Sequence, residues 1–202
     1  PMVNYPCSRG TKCFSCESES KYPGSFPVGY LRWLQEQGWW GDKRIHLCAG
    51  GVKDDEADRV DIQEECTPNR ERLMHDGKSY GKITIPTNAN IIGDGRDTGL
   101  ESESYDCVII DPPYSADLAH DLYDTKEHYS GIKAFMLEGY RLLKPGGLMV
   151  TLTYAIPPRI HDMDLVAAWG IYQIPPVRWM TAHFVWRKPG AREAQGLERW
   201  TS

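Results

Sequence analysis

The 202-residue chain lacks both a long apolar run and an excess of basic residues. No stretch approaches the roughly 20 consecutive apolar residues that span a bilayer, and residues 1–10 lack the apolar core of a signal peptide. The net charge is −5, whereas proteins that bind nucleic acid nonspecifically are usually basic. We therefore expect a cytoplasmic globular protein without a membrane partner, and one that does not hold duplex nucleic acid through charge alone.

A disulfide framework is also lacking, because the spacing of the six cysteines does not suggest one. Three of the six cysteines, Cys7, Cys13 and Cys16, cluster near the start of the chain. Such a group can contribute to a structural zinc site, which requires four nitrogen or sulfur ligands. His46 or Cys66 could supply the fourth ligand. Reduced free thiols in a polar arm are the alternative interpretation.

Composition divides the chain into three parts. Residues 1–25 are rich in polar residues, glycine and proline and predict an irregular, cysteine-containing arm. Residues 26–189 form the predicted domain, with a polar insertion at about 65–86. The polar residues 190–202 form a tail. We find no internal repeat and no low-complexity segment.

Apolar segments with strand and helix spacings alternate through the central domain. The segment between Gly51 and Arg59 is too short for a crossover helix, so the first crossover must be a turn. The predicted fold is α/β and Rossmann-like, with a seven-stranded, mostly parallel sheet and an antiparallel edge strand. Helices are predicted over 28–39, 132–140 and 165–170, and strands over 44–49, 59–62, 90–93, 107–110 and 148–154, with an antiparallel pair within 171–187.

The strongest chemical signal follows the apolar strand at 107–110, where Asp111, Pro112, Pro113 and Tyr114 stand in succession. The amino group of a nucleobase is a poor nucleophile, because its lone pair is delocalised into the ring. A carboxylate and the Pro112 carbonyl could accept its two hydrogens and aim the lone pair at a methyl donor. The prolines would stiffen the turn, and Tyr114 could stack on an extruded base.

The Asp111–Tyr114 tetrapeptide resembles the catalytic motif of DNA amino-methyltransferases that act on adenine N6 or cytosine N4. These enzymes are class I S-adenosylmethionine-dependent methyltransferases. Leu47–Gly51 is similar to their glycine-bearing cofactor motif, Tyr22–Pro27 to the segment that precedes that motif, and Leu143–Gly147 to their common helix-to-strand turn. The resemblance runs from about Tyr22 to Pro189 and is closest to small phage and bacterial members without a separate target-recognition domain.

The resemblance implies S-adenosylmethionine as the methyl donor and assigns residues to it. Asp61 would accept hydrogen bonds from the ribose hydroxyls, with Glu64 as the fallback. Asp94 and Gly95 would meet the adenine ring, although Asp94 could instead cap the turn that follows it. The positions assigned to the methionine end and the methyl group are Tyr22, Phe26, Ala49, Gly50, Gly51 and Asp111.

The predicted activity is methylation of an exocyclic amino nitrogen of a nucleobase, with adenine N6 in DNA as the first choice and DNA favoured over RNA as the partner. Cytosine N4 stays open. The alternatives are an RNA base N-methyltransferase and a non-catalytic binding protein on a methyltransferase scaffold. Two basic strips could neutralise phosphates, or could be ordinary solvated surface; they contain Arg70, Arg72, Lys78 and Lys82, and Arg187, Lys188, Arg192 and Arg199.

Overall fold

The computed structural model describes residues 7–15, 17–23, 25–68, 83–125, 129–173 and 180–190. These residues contain both strands and helices, with six strands in succession between α1 and α2. The elements are β1 (Ser8–Phe14), α1 (Tyr30–Glu36), β2 (Arg44–Leu47), β3 (Asp58–Asp61), β4 (Glu65–Cys66), β5 (Ile85–Pro86), β6 (Ile91–Ile92), β7 (Tyr105–Ile110), α2 (Ala116–Tyr123), α3 (Ile132–Leu142), β8 (Leu143–Thr153), β9 (Asp164–Gln173) and β10 (Met180–Arg187).

The main sheet has the order β1-β9-β10-β8-β7-β2-β3-β6. Its neighbouring strands are parallel except for β10, which is antiparallel to both β8 and β9. The α/β, Rossmann-like fold class is therefore confirmed. Two details differ from the prediction: the described residues form a sheet of eight strands, and the antiparallel strand lies inside this sheet rather than at its edge.

The eighth strand comes from the segment that was predicted to be an irregular arm. Residues 8–14 form β1, which pairs in parallel with β9 from Ser8 opposite Ala167 to Phe14 opposite Gln173. Most of β1 is exposed, so its sequence does not show the alternation of a half-buried strand. Phe14 alone is buried, and its ring contacts Tyr30 edge-on at 6.0 Å. Backbone pairing with an available edge, rather than side-chain burial, makes this strand.

The helix predicted over 165–170 was wrong, because these residues belong to β9. A short apolar run fits either a helix or a buried strand. Hydrogen bonding to β1 on one side and β10 on the other decides for the strand. The predicted turn-like first crossover is confirmed, since residues 48–57 contain no helix. Part of the polar insertion forms the small antiparallel pair β4–β5, while residues 69–82 lie outside the described part.

Alternate residues of β7 face two separate apolar cores, one on each side of the sheet. Val108 and Ile110 belong to the core covered by α3, whereas Cys107 and Ile109 belong to the core covered by α1. Burial on both faces explains the uninterrupted apolar sequence of residues 107–110 in this strand. Within the described residues, no helix is both long and apolar enough to cross a bilayer.

The sheet has a topological switch point between β2 and β7. The chain proceeds from β2 outward to β3 and β6, and then continues with β7 on the other side of β2. At such a point the loops that follow two neighbouring parallel strands lead in opposite directions and leave a crevice, which is where open α/β sheets bind ligands. Residue 48 follows β2 and Asp111 follows β7, so the predicted motifs flank this crevice.

Candidate active site

A pocket opens at the carboxyl ends of β2, β3 and β7 and is lined by all but one of the residues predicted as catalytic or as first choice for cofactor binding. Tyr114 is the exception, and it lies beside the pocket. The predicted residues that line it are Tyr22, Phe26, Ala49, Gly50, Gly51, Asp61, Asp94, Gly95, Asp111, Pro112 and Pro113. Segments that are far apart in the sequence therefore meet at one site.

Asp111 stands immediately after β7, and its half-buried side chain reaches the pocket. Its Oδ1 accepts a hydrogen bond of 2.7 Å from the Tyr114 hydroxyl. Burial raises the pKa of Asp111 to about 7, while the hydrogen bond from Tyr114 acts in the opposite direction. The carboxyl group therefore titrates near neutrality, which is unusual for an aspartate and typical of residues in functional sites.

Tyr114 supports Asp111 instead of presenting a freely exposed ring. Its hydroxyl is bonded to the carboxylate, and its ring centroid lies 4.3 Å from that of Tyr154. The predicted stacking of a base on Tyr114 would take place beside this hydrogen bond. The structure therefore adds a contact within the tetrapeptide that spacing alone does not predict.

Asp61 is buried, and much of its hydrogen-bonding capacity is used within the chain. Its Oδ2 accepts a bond of 2.8 Å from the Gly50 amide, and Oδ1 accepts a longer bond of 3.4 Å from the Gln63 amide. Burial raises the pKa of Asp61, and these amide donors lower it in part. Asp61 thus connects the loop after β2 to the end of β3. The fallback residue Glu64 is exposed and does not line the pocket.

Gly50 and Gly51 pack tightly against a segment that we call the strap, residues 18–23 and 25–27. A bridge between Ser18 and Pro27 closes the strap. A Cβ atom on Gly50, whose φ is +49°, would lie 2.7 Å from the Tyr22 ring, and one on Gly51 would collide with the Ser20 hydroxyl. The strap itself therefore requires both glycines. Because Gly50, Gly51 and Tyr22 all line the pocket, this close packing also shapes its wall.

Asp94 lies at the pocket, and its carboxylate is bonded to Arg96. Oδ1 accepts from the Arg96 backbone amide at 2.9 Å and from Arg96 Nε at 2.8 Å. The bond from the Arg96 amide means that Asp94 caps the turn that follows it, whereas a contact of Asp94 with an adenine ring stays a prediction. Gly95 is close to Phe135, since a Cβ atom there would lie 3.1 Å from the ring. A narrow, partly aromatic region of the pocket results, suited to a flat ring.

Several residues of the pocket were missed by sequence reasoning, chiefly because they lie on helices or long loops. Tyr123 on α2 stacks on Tyr22 with centroids 6.1 Å apart and an interplanar angle of 26°. The start of α2 carries a recognisable signal, because Ser115 caps it by accepting from the Leu118 amide at 3.1 Å. The other missed lining residues include Cys48, Gln63, Arg96, Tyr129 and Phe135.

The pocket has a chemical character that fits a cationic ligand with a flat ring. Three carboxyl groups line it, from Asp61, Asp94 and Asp111, against one guanidinium, from Arg96. The region beside Phe135 offers an apolar face. S-adenosylmethionine combines a positively charged sulfonium with an adenine ring, so the residues present fit this group. Asp61, the residue predicted to bind the ribose hydroxyls, lines the pocket together with Gln63.

The N-terminal cysteines do not form a metal site among the residues that the structure describes. In that part of the chain, no group of three or more histidine, cysteine, aspartate or glutamate side chains could hold a metal ion. Cys7 and Cys13 are free thiols, and Cys16 lies outside the described residues. Of the two candidate fourth ligands, His46 contacts Asp54 at 3.0 Å and Cys66 donates to the Leu122 carbonyl. The zinc site stays a prediction.

The suggestion that Lys188 contacts phosphates was wrong. Lys188 is buried, and its ammonium group donates to the Leu143 carbonyl at 2.7 Å and to Glu103 at 3.1 Å. It lies at the sheet edge opposite the pocket, because β10 runs antiparallel to β8. Arg187 ends β10 at that same edge. The other members of the two basic strips lie outside the described residues.

Comparison with known proteins gives structural matches only. No protein-family model and no curated protein matches the chain. TrmN from Thermus thermophilus matches with a TM-score of 0.44 and 16% identity, over 78% of this chain and 47% of TrmN. A candidate type II methyltransferase from Anaeromyxobacter dehalogenans matches with a TM-score of 0.36 and 17% identity, over 69% of this chain and 50% of that protein.

A further match is a SAM-dependent methyltransferase from Methanosarcina mazei, with a TM-score of 0.40 and 8% identity, over 77% of this chain and 97% of that protein. The chain thus spans about half the length of two of these proteins and nearly all of the third. With TM-scores below 0.5, the matches do not determine the activity or the substrate of this chain.

Proposed function

We propose that the chain is an S-adenosylmethionine-dependent methyltransferase that methylates an exocyclic amino nitrogen of a nucleobase, with adenine N6 in DNA as the first candidate. One observation carries the proposal. The Asp111 carboxyl group, with a pKa near 7, reaches a pocket at the switch point of the sheet, next to the glycine-lined wall. Asp111, the acceptor for the amine, would therefore lie next to the methyl donor.

Asp111 and Pro112 would orient the amine. When ionised, the carboxylate accepts one N–H of the amino group, and the Pro112 carbonyl accepts the other, which directs the nitrogen lone pair away from the ring system. Pro113 restricts the backbone and keeps the carbonyl aimed. Tyr114 holds the carboxylate in place through its hydrogen bond of 2.7 Å.

S-adenosylmethionine supplies a methyl group made electrophilic by the positive sulfur. With this donor bound, the amine lone pair would form the new N–C bond as the C–S bond breaks and its electron pair passes to sulfur. One proton then leaves the nitrogen, for which water or the Asp111 carboxylate is a sufficient acceptor. The acidic pocket favours a cationic donor and releases the neutral thioether product more readily, because the ligand's positive charge is lost on transfer.

Methyl transfer from labelled S-adenosylmethionine, measured separately on DNA and on RNA pools, tests the proposal. Asp111→Ala should lower transfer by about 10²- to 10³-fold and leave S-adenosylhomocysteine binding in calorimetry nearly unchanged. Asp106→Ala is the matched control. Asp106 lies on the same strand but at its opposite end, bonded to Lys144 at 2.7 Å, and its loss should not affect transfer.

The outcomes separate the candidate functions. Near-normal transfer by Asp111→Ala would contradict the role of this carboxylate. Label found only in RNA would replace the DNA substrate with an RNA base. Failure of S-adenosylhomocysteine to bind at millimolar concentration would favour a non-catalytic protein on the same scaffold.

A further inference from the structure

The segment that follows β8 reaches the level of the catalytic tetrapeptide on the neighbouring strand. In the parallel pairing of β7 with β8, Ile110 is opposite Thr151. Three residues further along each strand direction are Pro113 and Tyr154. Adjacent strands lie about 4.8 Å apart, and the Tyr154 ring centroid is 4.3 Å from that of Tyr114. Tyr154 is therefore a direct neighbour of the site, although it belongs to none of the predicted motifs.

Two large apolar side chains of this segment are exposed, and one of them, Tyr154, contacts Tyr114. Tyr154 is 48% exposed, and Ile156, at 78%, is the most exposed large apolar side chain in the described part of the chain. Their neighbour Ala155 donates its amide to the Thr153 hydroxyl at 3.3 Å, which shapes the turn that presents them. Burial and the nearby charge of Asp111 both raise the pKa of the Tyr154 hydroxyl, so its ring stays neutral.

Charge indicates what kind of ligand this surface can hold. The chain carries a net charge of −5, which opposes binding through phosphates. An aromatic ring can bind a nucleobase by stacking, a contact that tolerates any base and needs no positive charge. Stacking requires a base whose face is accessible, as in single-stranded or extruded nucleotides and not in an intact duplex.

We propose that Tyr154 and Ile156 form a docking surface for an unpaired nucleobase next to the catalytic tetrapeptide, with Tyr154 stacking on the base and Ile156 packing against its edge. This inference rests on the proposed function and specifies its substrate as an unpaired base. Tyr154 acts by positioning the base, whereas Asp111 touches the reacting amine.

Fluorescence anisotropy with fluorescein-labelled single-stranded oligodeoxyadenylate, and with its ribonucleotide counterpart, tests the proposal. Tyr154→Ala should weaken binding by about 5- to 150-fold, the range expected for loss of one stacked base. Ile156→Ala should have a smaller effect, and Tyr154→Phe should restore wild-type affinity. The ratio of wild-type to Tyr154→Ala affinity should be the same at about 50 and 200 mM salt, because stacking releases no counterions.

Leu137→Ala is the matched control, since Leu137 is a 41% exposed aliphatic residue on α3. Its oligonucleotide affinity should equal that of the wild type. In methyl transfer, Tyr154→Ala should raise the KM for the oligonucleotide and leave both the KM for S-adenosylmethionine and the thermal unfolding midpoint unchanged.

Two failures are distinguishable. If the wild type transfers methyl groups to the oligonucleotide and Tyr154→Ala binds it equally well, this inference is overturned and the proposed function stands. If the wild type binds neither S-adenosylhomocysteine nor any oligonucleotide, the proposed function fails, and the inference fails with it.

Discussion

The parallel strands of the main sheet begin at one side, the amino edge, and end at the opposite side, the carboxyl edge. Both edges hold carboxyl groups that are buried or partly buried, but the hydrogen-bond partners of these groups differ. At the amino edge, Asp54 is bonded to Arg44 at 2.6 and 2.7 Å, and Asp106 is bonded to Lys144 at 2.7 Å. At the carboxyl edge, Asp111 accepts a hydrogen bond from the neutral hydroxyl of Tyr114 instead of pairing with a cation. Carboxylates paired with cations thus hold one edge together, while the other edge keeps a carboxyl group available.

The pKa values reflect this difference. Burial alone would raise the pKa of Asp54, but hydrogen bonds from His46 and Arg44 outweigh it and hold the pKa below its ordinary value. Burial also acts on Asp111, where the single hydrogen bond from Tyr114 does not outweigh it, and the pKa rises to about 7. Asp94, paired with Arg96, is an exception at the carboxyl edge. An incompletely compensated carboxyl group destabilises the fold, and such groups are concentrated in functional sites.

The largest expected effect comes from breaking the paired edge. Asp54→Ala removes the buried partner of Arg44, and both side chains are 6% exposed. Glu56, which contacts Arg44 at 3.2 Å, is 86% exposed and compensates little. Loss of the buried partner should cost about 3–5 kcal/mol in the free energy of unfolding. Urea denaturation at pH 7 measures this loss, and circular dichroism checks that the variant is folded without denaturant.

Asp111→Asn is the counterpart at the other edge and should have the opposite sign. The folded-state pKa of about 7 exceeds the ordinary value of about 3.9. Wild-type stability from this group is therefore complete below about pH 4 and is lost as the pH rises through 7, by up to about 4 kcal/mol. The amide avoids that loss, so the variant should be the more stable protein at pH 8. Equal destabilisation by both variants would contradict the contrast between the edges.

A glycine substitution should show whether the strap shapes the ligand site. In Gly51→Ala the new methyl group would lie 2.5 Å from Tyr22 Cβ and would also collide with Ser20. Displacement of the strap should weaken S-adenosylhomocysteine binding by about 10- to 100-fold, as expected for overpacking at a tight contact. Gly93→Ala is the control, because nothing lies within 4 Å of its added Cβ atom. Calorimetry on both variants measures the difference, and equal affinities would show that the strap does not shape the ligand site.

The carboxyl edge was largely predictable from the sequence, because each motif there directly follows a strand. Asp111 follows an apolar strand, and Gly50 follows a strand that ends in a turn too short for a helix. Parallel strands bring their carboxyl ends together, so local patterns were sufficient to place these residues at one site. The chemistry of single positions was less predictable, as Asp94 shows: its bond to Arg96 depends on how one turn folds.

Features made by long-range backbone pairing or by rotamer choice were not predictable. The sequence of β1 is polar, and only the available edge of β9 makes it a strand. The proximity of Tyr154 to Tyr114 follows from the register of β7 against β8, which no local spacing specifies. The hydrogen bond from Tyr114 to Asp111 depends on the side-chain orientation of Tyr114. The tetrapeptide sequence does not specify this orientation, and it suggested a stacking role instead.

The smallest expected effect is a change in pH dependence, and it tests which hydrogen bond controls the available carboxyl group. An amine needs the ionised form of Asp111 as its acceptor, so kcat/KM for methyl transfer should rise from pH 6 to 8 with a midpoint near 7. The Tyr114 hydroxyl lowers the pKa of Asp111, because it donates to the charged form. Tyr114→Phe should therefore shift the midpoint upward, by roughly 0.4–1 pH unit for a hydrogen bond of ordinary net strength.

Tyr105→Phe is the control at the paired edge, where it removes the same kind of bond, a tyrosine hydroxyl donated to Asp58 at 2.6 Å. Its pH–rate profile should match that of the wild type, because this carboxyl group lies at the end of the sheet away from the pocket. An unchanged midpoint in Tyr114→Phe, or an equal shift in both variants, would mean that the bond between Tyr114 and Asp111 does not set the ionisation that the reaction needs. An upward shift in Tyr114→Phe alone would locate the controlling contact within the tetrapeptide. The same kind of bond, from a tyrosine hydroxyl to a carboxylate, would then control ionisation at the carboxyl edge and have no effect on the reaction at the amino edge.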